Sequence, residues 1–170
     1  GELQCNIPCI IANHETMREY ADWYKVPFHF IDFSDKTKAF KEVESLLEYY
    51  QIDLTVLARF MQIVPNYLCH KLAGKAINIH HSFLPSFAGA KPYQQAYERG
   101  VKLIGATCHY VTSDLDDGPI IEQEVLRISH SDSAQDMVRK GKRCEVNALA
   151  NGIRSHLQDR IIFHPNKTLV

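Results

Sequence analysis

Short apolar runs alternate with longer amphipathic segments along the first half of the chain. Four of the runs are rich in β-branched or aromatic residues and end in polar or turn-forming residues, as buried parallel strands do: residues 7–12, 28–33, 53–58 and 76–80. Three of the intervening segments have helical character: residues 15–24, 35–50 and 65–72. This alternation predicts an α/β fold with an open, mainly parallel, Rossmann-like sheet flanked by helices, whose ligands bind at the carboxyl ends of the strands.

The second half of the chain shows a different order of elements. A helix is expected at 92–99, and two long strand-like runs, 102–112 and 120–128, flank a turn near Gly118. These two runs resemble a hairpin pair. A long helix at 133–157, capped by Ser131 or Asp132, and a strand pair around residues 165–167 complete the expected elements.

Length and charge narrow the class of protein. A chain of 170 residues is the size of one domain with a core. The formal charge of -1 indicates no excess of positive charge that would bind nucleic acid. No apolar run reaches the ~20 residues that a membrane helix needs. The five cysteines include no CxxC pair, which argues against a zinc site and favours a reducing, cytoplasmic compartment.

Three polar residues stand out at predicted strand ends and turns. Asn78 and His80 lie two positions apart on one strand, so their side chains share a face, and Asp116 lies in the turn near Gly118. An amide, an imidazole and a carboxylate together suit acyl chemistry, because they can hold an oxyanion, move a proton and orient the imidazole or a water. From the residues alone, His80 is more simply a structural histidine and Asp116 a turn-former, and both readings stay open.

Two longer motifs carry a resemblance to a known family. They are ARFMQIVP, which begins at Ala58, and INIHHSFLPSFAGAKPYQQAYERGVKLIGATCHYVTSDLDDGPIIEQEV, which begins at Ile77. The sequence resembles the family of formyltetrahydrofolate-dependent formyltransferases and hydrolases, and within it the formyltetrahydrofolate deformylases. The resemblance extends from Leu3 nearly to the end of the chain, and it implies the formyltransferase fold.

The resemblance also implies roles for individual residues. Asn78, His80 and Asp116 would be the catalytic residues. The substrate-binding residues would be Phe60, Met61, Gln62, Ile63 and Val64 on one side of the pterin ring, and His109, Thr112, Ser113, Asp114 and Leu115 on the other. Backbone groups of Gln62 and Val64 would form hydrogen bonds with the edge of the pterin ring. In the mechanism that we expect, Asn78 and the protonated His80 would hold the oxyanion, and Asp116 would position the water and favour the imidazolium through its charge. No metal or cofactor would be needed.

The function implied is hydrolysis of 10-formyltetrahydrofolate to formate and tetrahydrofolate, which supplies formate for purine biosynthesis and balances one-carbon folate pools. One alternative is glycinamide ribonucleotide formyltransferase, which needs a phosphate-binding, glycine-containing loop that we do not find before Ile7. A second alternative is a non-catalytic folate-binding domain.

The resemblance implies a domain organisation as well. Residues 1–170 would form one hydrolase domain that lacks the usual first strand and helix and an ACT-like regulatory domain. We therefore expect a fragment of marginal stability when alone. We also expect a homo-oligomer for the full-length protein, whose partners would be the folate substrate and water, with no nucleic acid and no membrane.

Overall fold

A computed structural model describes residues 3–82, 92–164 and 167–170. The elements up to residue 82 are, in order, β1 (Ile10–Ala12), a 3-10 turn (Glu15–Met17), α1 (Arg18–Trp23), β2 (Phe28–Phe30), α2 (Lys36–Tyr49), β3 (Thr55–Ala58), α3 (Asn66–Lys71) and β4 (Ala76–His80). The elements from residue 92 are α4 (Pro92–Arg99), β5 (Leu103–Tyr110), β6 (Ile120–Arg127), α5 (Ala134–Leu157), β7 (Ile162–His164) and β8 (Lys167–Leu169).

Strand pairing divides the described residues into three sheets. β1 pairs with β2 in parallel, and β3 pairs with β4 in parallel. β4, β5 and β6 pair in antiparallel fashion within a four-stranded sheet of order β3-β4-β5-β6, and β7 and β8 form a small antiparallel hairpin. The α/β class with parallel strands and flanking helices is therefore confirmed, as are the β5–β6 and terminal hairpins.

Two helix starts follow the capping rules. The Asp35 side chain accepts a hydrogen bond from the Lys38 backbone N–H at 3.1 Å, as expected for the start of α2. At α5 the expectation of Ser131 or Asp132 as cap was wrong, because Ser133 forms the capping box with Asp136. Asp132 instead bonds Lys140 at 2.6 Å.

The long helix α5 covers one face of the four-stranded sheet. Its buried Cys144 and Ala148 pack in one cluster with Ile77, Ile79 and Cys108. Burial raises the pKa of the Cys108 thiol to about 12, so this sulfur is an unreactive part of the core. The side chains of β4 that alternate with Ile77 and Ile79 therefore point away from α5.

A second apolar cluster joins β1 and β2 to the rest of the chain. Ile31, Phe33, Phe40 and Leu68 are its largest buried members, and Ile11 and Phe60 pack against it. The packing therefore connects the β1–β2 unit to the end of β3 although the described strands β1 and β3 belong to separate sheets. The expected absence of a first strand and helix stays a prediction.

None of the helices in the described part of the chain is both long enough and apolar enough to span a membrane.

Candidate active site

The carboxyl end of β4 presents two polar side chains on the face away from α5. Asn78 pairs in register with Leu57 on β3 and with His109 on β5. His80 follows two positions later, and its side chain is 12% exposed. The strand therefore holds both groups rigidly and leaves the imidazole partly open to a ligand.

Asp116 reaches this face from the turn between β5 and β6. Its backbone has a φ of 54°, in the left-handed region that aspartate tolerates better than most residues. Gly118 allows the turn to press against β5, because a Cβ at this position would lie 1.7 Å from the Tyr110 carbonyl oxygen. The close approach of Gly118 thus places the carboxylate beside the end of β4.

The three catalytic candidates of the sequence analysis converge. Oδ2 of Asp116 lies 3.2 Å from Nδ1 of His80, and Oδ1 of Asp116 accepts a hydrogen bond of 3.3 Å from the Asn78 amide nitrogen. Oδ1 also lies 3.6 Å from Nε2 of His109. One carboxylate therefore contacts the amide and both imidazoles.

His109 contacts Asn78 directly and is itself buried, with 2% exposed. Its Nδ1 lies 2.9 Å from the Tyr110 carbonyl, which can only accept, so Nδ1 carries the proton. Nε2 of the neutral ring is then an acceptor, and the Asn78 amide nitrogen lies 3.2 Å from it. His109 therefore orients Asn78, whereas the sequence analysis placed it among the substrate-binding residues.

The protonation of His80 differs from the expectation. Burial lowers the pKa of His80 and outweighs the nearby Asp116 charge, which raises it; His81 and His109 lower it further. Asp116 therefore favours the imidazolium, as expected, but the expectation of a protonated His80 at rest was wrong, because burial leaves the ring neutral at neutral pH. With Nδ1 facing Asp116, the other nitrogen, Nε2, is left to accept a proton.

The segment Phe60–Val64 lies between β3 and α3 and is separated from β3 by Arg59. The ring of Phe60 packs edge-on against Phe33, with centroids 5.6 Å apart, so it anchors the segment to the core. Met61 and Ile63 are 75% and 66% exposed. These two residues therefore offer an apolar surface next to the end of β3, as a pteridine-binding segment requires.

Cys69 makes a contact with this segment that the sequence analysis did not predict. Its buried thiol donates to the Val64 carbonyl at 3.5 Å. A carbonyl has two lone pairs, so this bond fixes the Val64 carbonyl and still leaves it able to accept from a ligand. No pattern in the sequence predicts such a contact, because a buried thiol usually behaves as a small apolar side chain.

The segment from Thr112 to Leu115 leads into Asp116. The Thr112 hydroxyl bonds the Asp114 carbonyl at 3.1 Å and closes a tight turn. Ser113 and Asp114 are exposed, and Leu115 is 71% exposed. The segment thus lies on the surface beside the three converging side chains. The loop after His81 and Ser82, with its Pro85, lies outside the described residues.

Comparisons with known proteins identify the family of this chain. A family model described as formyl transferase matches residues 1–153. A formyltetrahydrofolate deformylase of Synechocystis sp. is 49% identical over 172 residues, which cover 100% of this chain and 60% of that protein. The chain thus spans less than two thirds of the length of the curated relatives that it matches.

Solved structures of similar fold belong to proteins of the same kind. A formyltetrahydrofolate deformylase from Pseudomonas syringae pv. tomato has a TM-score of 0.94 and 56% identity, covering 99% of this chain and 57% of that one. A phosphoribosylglycinamide formyltransferase from Anaplasma phagocytophilum has a TM-score of 0.87 and 32% identity, covering 96% of this chain and 80% of that one. The formyltransferase fold inferred from the sequence is confirmed, and the chain belongs to the formyl transferase family.

Proposed function

We propose that this protein hydrolyses 10-formyltetrahydrofolate to formate and tetrahydrofolate. The observation that carries the proposal is the single carboxylate of Asp116 within 3.3 Å of both the Asn78 amide nitrogen and the His80 ring. The similarity to formyltetrahydrofolate deformylases, at 49% and 56% identity, supports the choice of reaction. The likeness to a glycinamide ribonucleotide transferase is weaker, at 32% identity.

The neutral His80 acts as the general base. Its Nε2 takes a proton from a water, whose oxygen bonds to the formyl carbon. The imidazolium that forms is stabilised by the carboxylate of Asp116, which lies 3.2 Å from Nδ1. Asp116 thus acts on the charge that develops during the reaction, although it does not keep the resting imidazole charged.

Asn78 holds the oxyanion of the tetrahedral intermediate. Both amide protons of Asn78 already have acceptors, namely His109 at 3.2 Å and Asp116 at 3.3 Å. One of these two contacts is exchanged for a hydrogen bond to the oxyanion when the tetrahedral intermediate forms. His80 then returns its proton to the folate nitrogen, the carbon–nitrogen bond breaks, and formate leaves as the acid or its anion. The reaction uses no metal and no cofactor.

The pteridine ring lies on the segment Phe60–Val64, with the segment Thr112–Leu115 on its other side. The exposed Met61 and Ile63 give the apolar contact, and backbone groups of Gln62 and Val64 bond the ring edge. We assign the full-length protein to the cytoplasm, as a homo-oligomer that supplies formate for purine biosynthesis.

Formate release from 10-formyltetrahydrofolate, measured with and without glycinamide ribonucleotide, tests the proposal. We expect equal formate release in both reactions, and a loss on the order of 10²–10³ in turnover for Asn78→Ala, which removes one oxyanion donor. Formyl transfer to the ribonucleotide would indicate a transferase. Folate binding without any turnover would indicate a non-catalytic domain.

A further inference from the structure

An ion pair joins the end of β3 to the helix that covers the sheet. The guanidinium of Arg59 donates from Nε at 3.1 Å and from Nη2 at 2.8 Å to Oε2 of Glu145. The Glu145 side chain is only 8% exposed, while that of Arg59 is 60% exposed. A buried carboxylate needs such partners, because an unpaired charge in the core is strongly destabilising.

The other oxygen of the same carboxylate binds a second element. Tyr93, in the first turn of α4, donates its hydroxyl to Oε1 of Glu145 at 3.0 Å. The Tyr93 ring lies directly on the α5 backbone, because a Cβ at Gly141 would come within 2.1 Å of that ring. Burial and the Glu145 charge both raise the pKa of Tyr93, so its hydroxyl remains a donor. Glu145 therefore ties β3, α4 and α5 together.

This network borders the proposed substrate site on two sides. Arg59 has a φ of 55° and directly precedes Phe60, the first residue of the pteridine-binding segment. The ring centroids of Tyr93 and His81 lie 6.4 Å apart. Those of His81 and His80 lie 5.3 Å apart. The unusual backbone of Arg59 sets the direction in which the chain leaves β3, and a left-handed conformation persists only where its surroundings hold it.

We propose that Glu145 is a positioning residue, which fixes Arg59 and Tyr93 and thereby sets the affinity of the segment Phe60–Val64 for the pteridine ring of folate. This inference rests on the proposed function only for the identity of the ligand. Fixing the backbone of one residue is worth roughly a tenfold change in affinity, so the network should alter binding by about that factor. Turnover at saturating substrate should change little, because none of the three residues touches the reacting atoms.

Four variants of the full-length protein separate positioning from stability. Arg59→Asn removes the ion pair and keeps a residue that tolerates the left-handed backbone. Tyr93→Phe removes only the hydroxyl. The double variant Arg59→Asn/Glu145→Gln removes both charges, so it leaves no unpaired charge and should be more stable than Arg59→Asn alone. Asp132→Asn is the matched control, because it weakens the 2.6 Å ion pair to Lys140 on the same helix, away from the network.

The readouts are the Kd of tetrahydrofolate, kcat and KM, and the pH profile. We expect the Kd and KM to rise about tenfold in Arg59→Asn and in the double variant, and less in Tyr93→Phe, with kcat within about threefold and the pH profile unchanged. A wild-type Kd in the double variant would overturn the inference, as would an equal loss of affinity in Asp132→Asn. Wild-type protein that binds tetrahydrofolate but releases no formate would refute the proposed hydrolysis and leave the positioning role standing.

Discussion

The amide nitrogen of Asn78 lies 3.2 Å from Nε2 of His109, its register partner on the neighbouring strand. Because Nδ1 of His109 donates to the Tyr110 carbonyl, Nε2 can only accept in the neutral ring. The backbone of β5 therefore determines which way the Asn78 amide faces, through a buried imidazole that need not touch the substrate.

Replacing His109 should disorder Asn78 without unfolding the protein. We expect His109→Phe to reduce kcat by about 10–100-fold, less than removal of the Asn78 donor itself, with KM little changed. His109→Gln, whose side-chain oxygen can accept from Asn78, should recover part of the rate. Steady-state kinetics of both variants make the comparison, and equal rates in the two would argue against an orienting acceptor.

The pH dependence of kcat/KM should report His80. The base must be neutral, and burial lowers its pKa, so the acidic limb should lie below the ordinary histidine value of about 6.5. The charge of Asp116 opposes that shift. Asp116→Asn should therefore move the acidic limb to still lower pH while the maximal rate falls, because the imidazolium formed in the reaction loses its partner. A limb that moved upward in this variant would refute the assignment of His80 as the base.

Gly118 should resist substitution more than another turn glycine. A Cβ at Gly118 would lie 1.7 Å from a backbone oxygen, whereas at Gly100 nothing lies within 4 Å and only the φ of 68° opposes a side chain. We expect Gly100→Ala to cost about 1 kcal/mol of unfolding free energy. Gly118→Ala should cost about 1–3 kcal/mol more and should also lower kcat, because Asp116 must move. Denaturant unfolding and turnover of both variants test this; similar behaviour would contradict the close approach.

Stability should also depend on pH through His156 at the end of α5. Burial lowers the pKa of His156, whose Nδ1 lies 2.7 Å from the Tyr110 hydroxyl. Between the pKa of His156 in the folded protein and its pKa of about 6.5 in the unfolded chain, the unfolded chain binds more protons than the folded one. The free energy of unfolding therefore rises with pH in that window. His156→Gln should reduce the increase of the unfolding free energy with pH, and the remaining increase should come from His80. An unchanged slope below pH 6.5 would contradict this.

Much of the fold follows from the sequence because local patterns determine it. The bounds of β4 and α4 agree with the structure, since each has clear terminal signals in the chain. β1 is shorter than predicted, because Ile7 is 62% exposed and pairing begins only at Ile10. Apolar character indicates a strand, but the sequence does not show where a neighbouring strand ends.

The site is harder to predict because its geometry depends on burial and distant partners. The spacing of Asn78 and His80 revealed a shared face, and only the resemblance brought Asp116 to it. The neutral state of His80 depends on desolvation, which no local pattern records. The bond between Arg59 and Glu145 joins residues 86 positions apart, and only the fold brings them together.

The most direct test of the account is the fate of the water oxygen. The full-length protein is supplied with 10-formyltetrahydrofolate in water labelled with heavy oxygen, and the formate is analysed by mass spectrometry beside the tetrahydrofolate formed. We predict one labelled oxygen in each formate and one tetrahydrofolate per formate. In His80→Ala, the formation of formate and of tetrahydrofolate should be lost together. Formate without label, or tetrahydrofolate formed without formate, would contradict attack by water at this site.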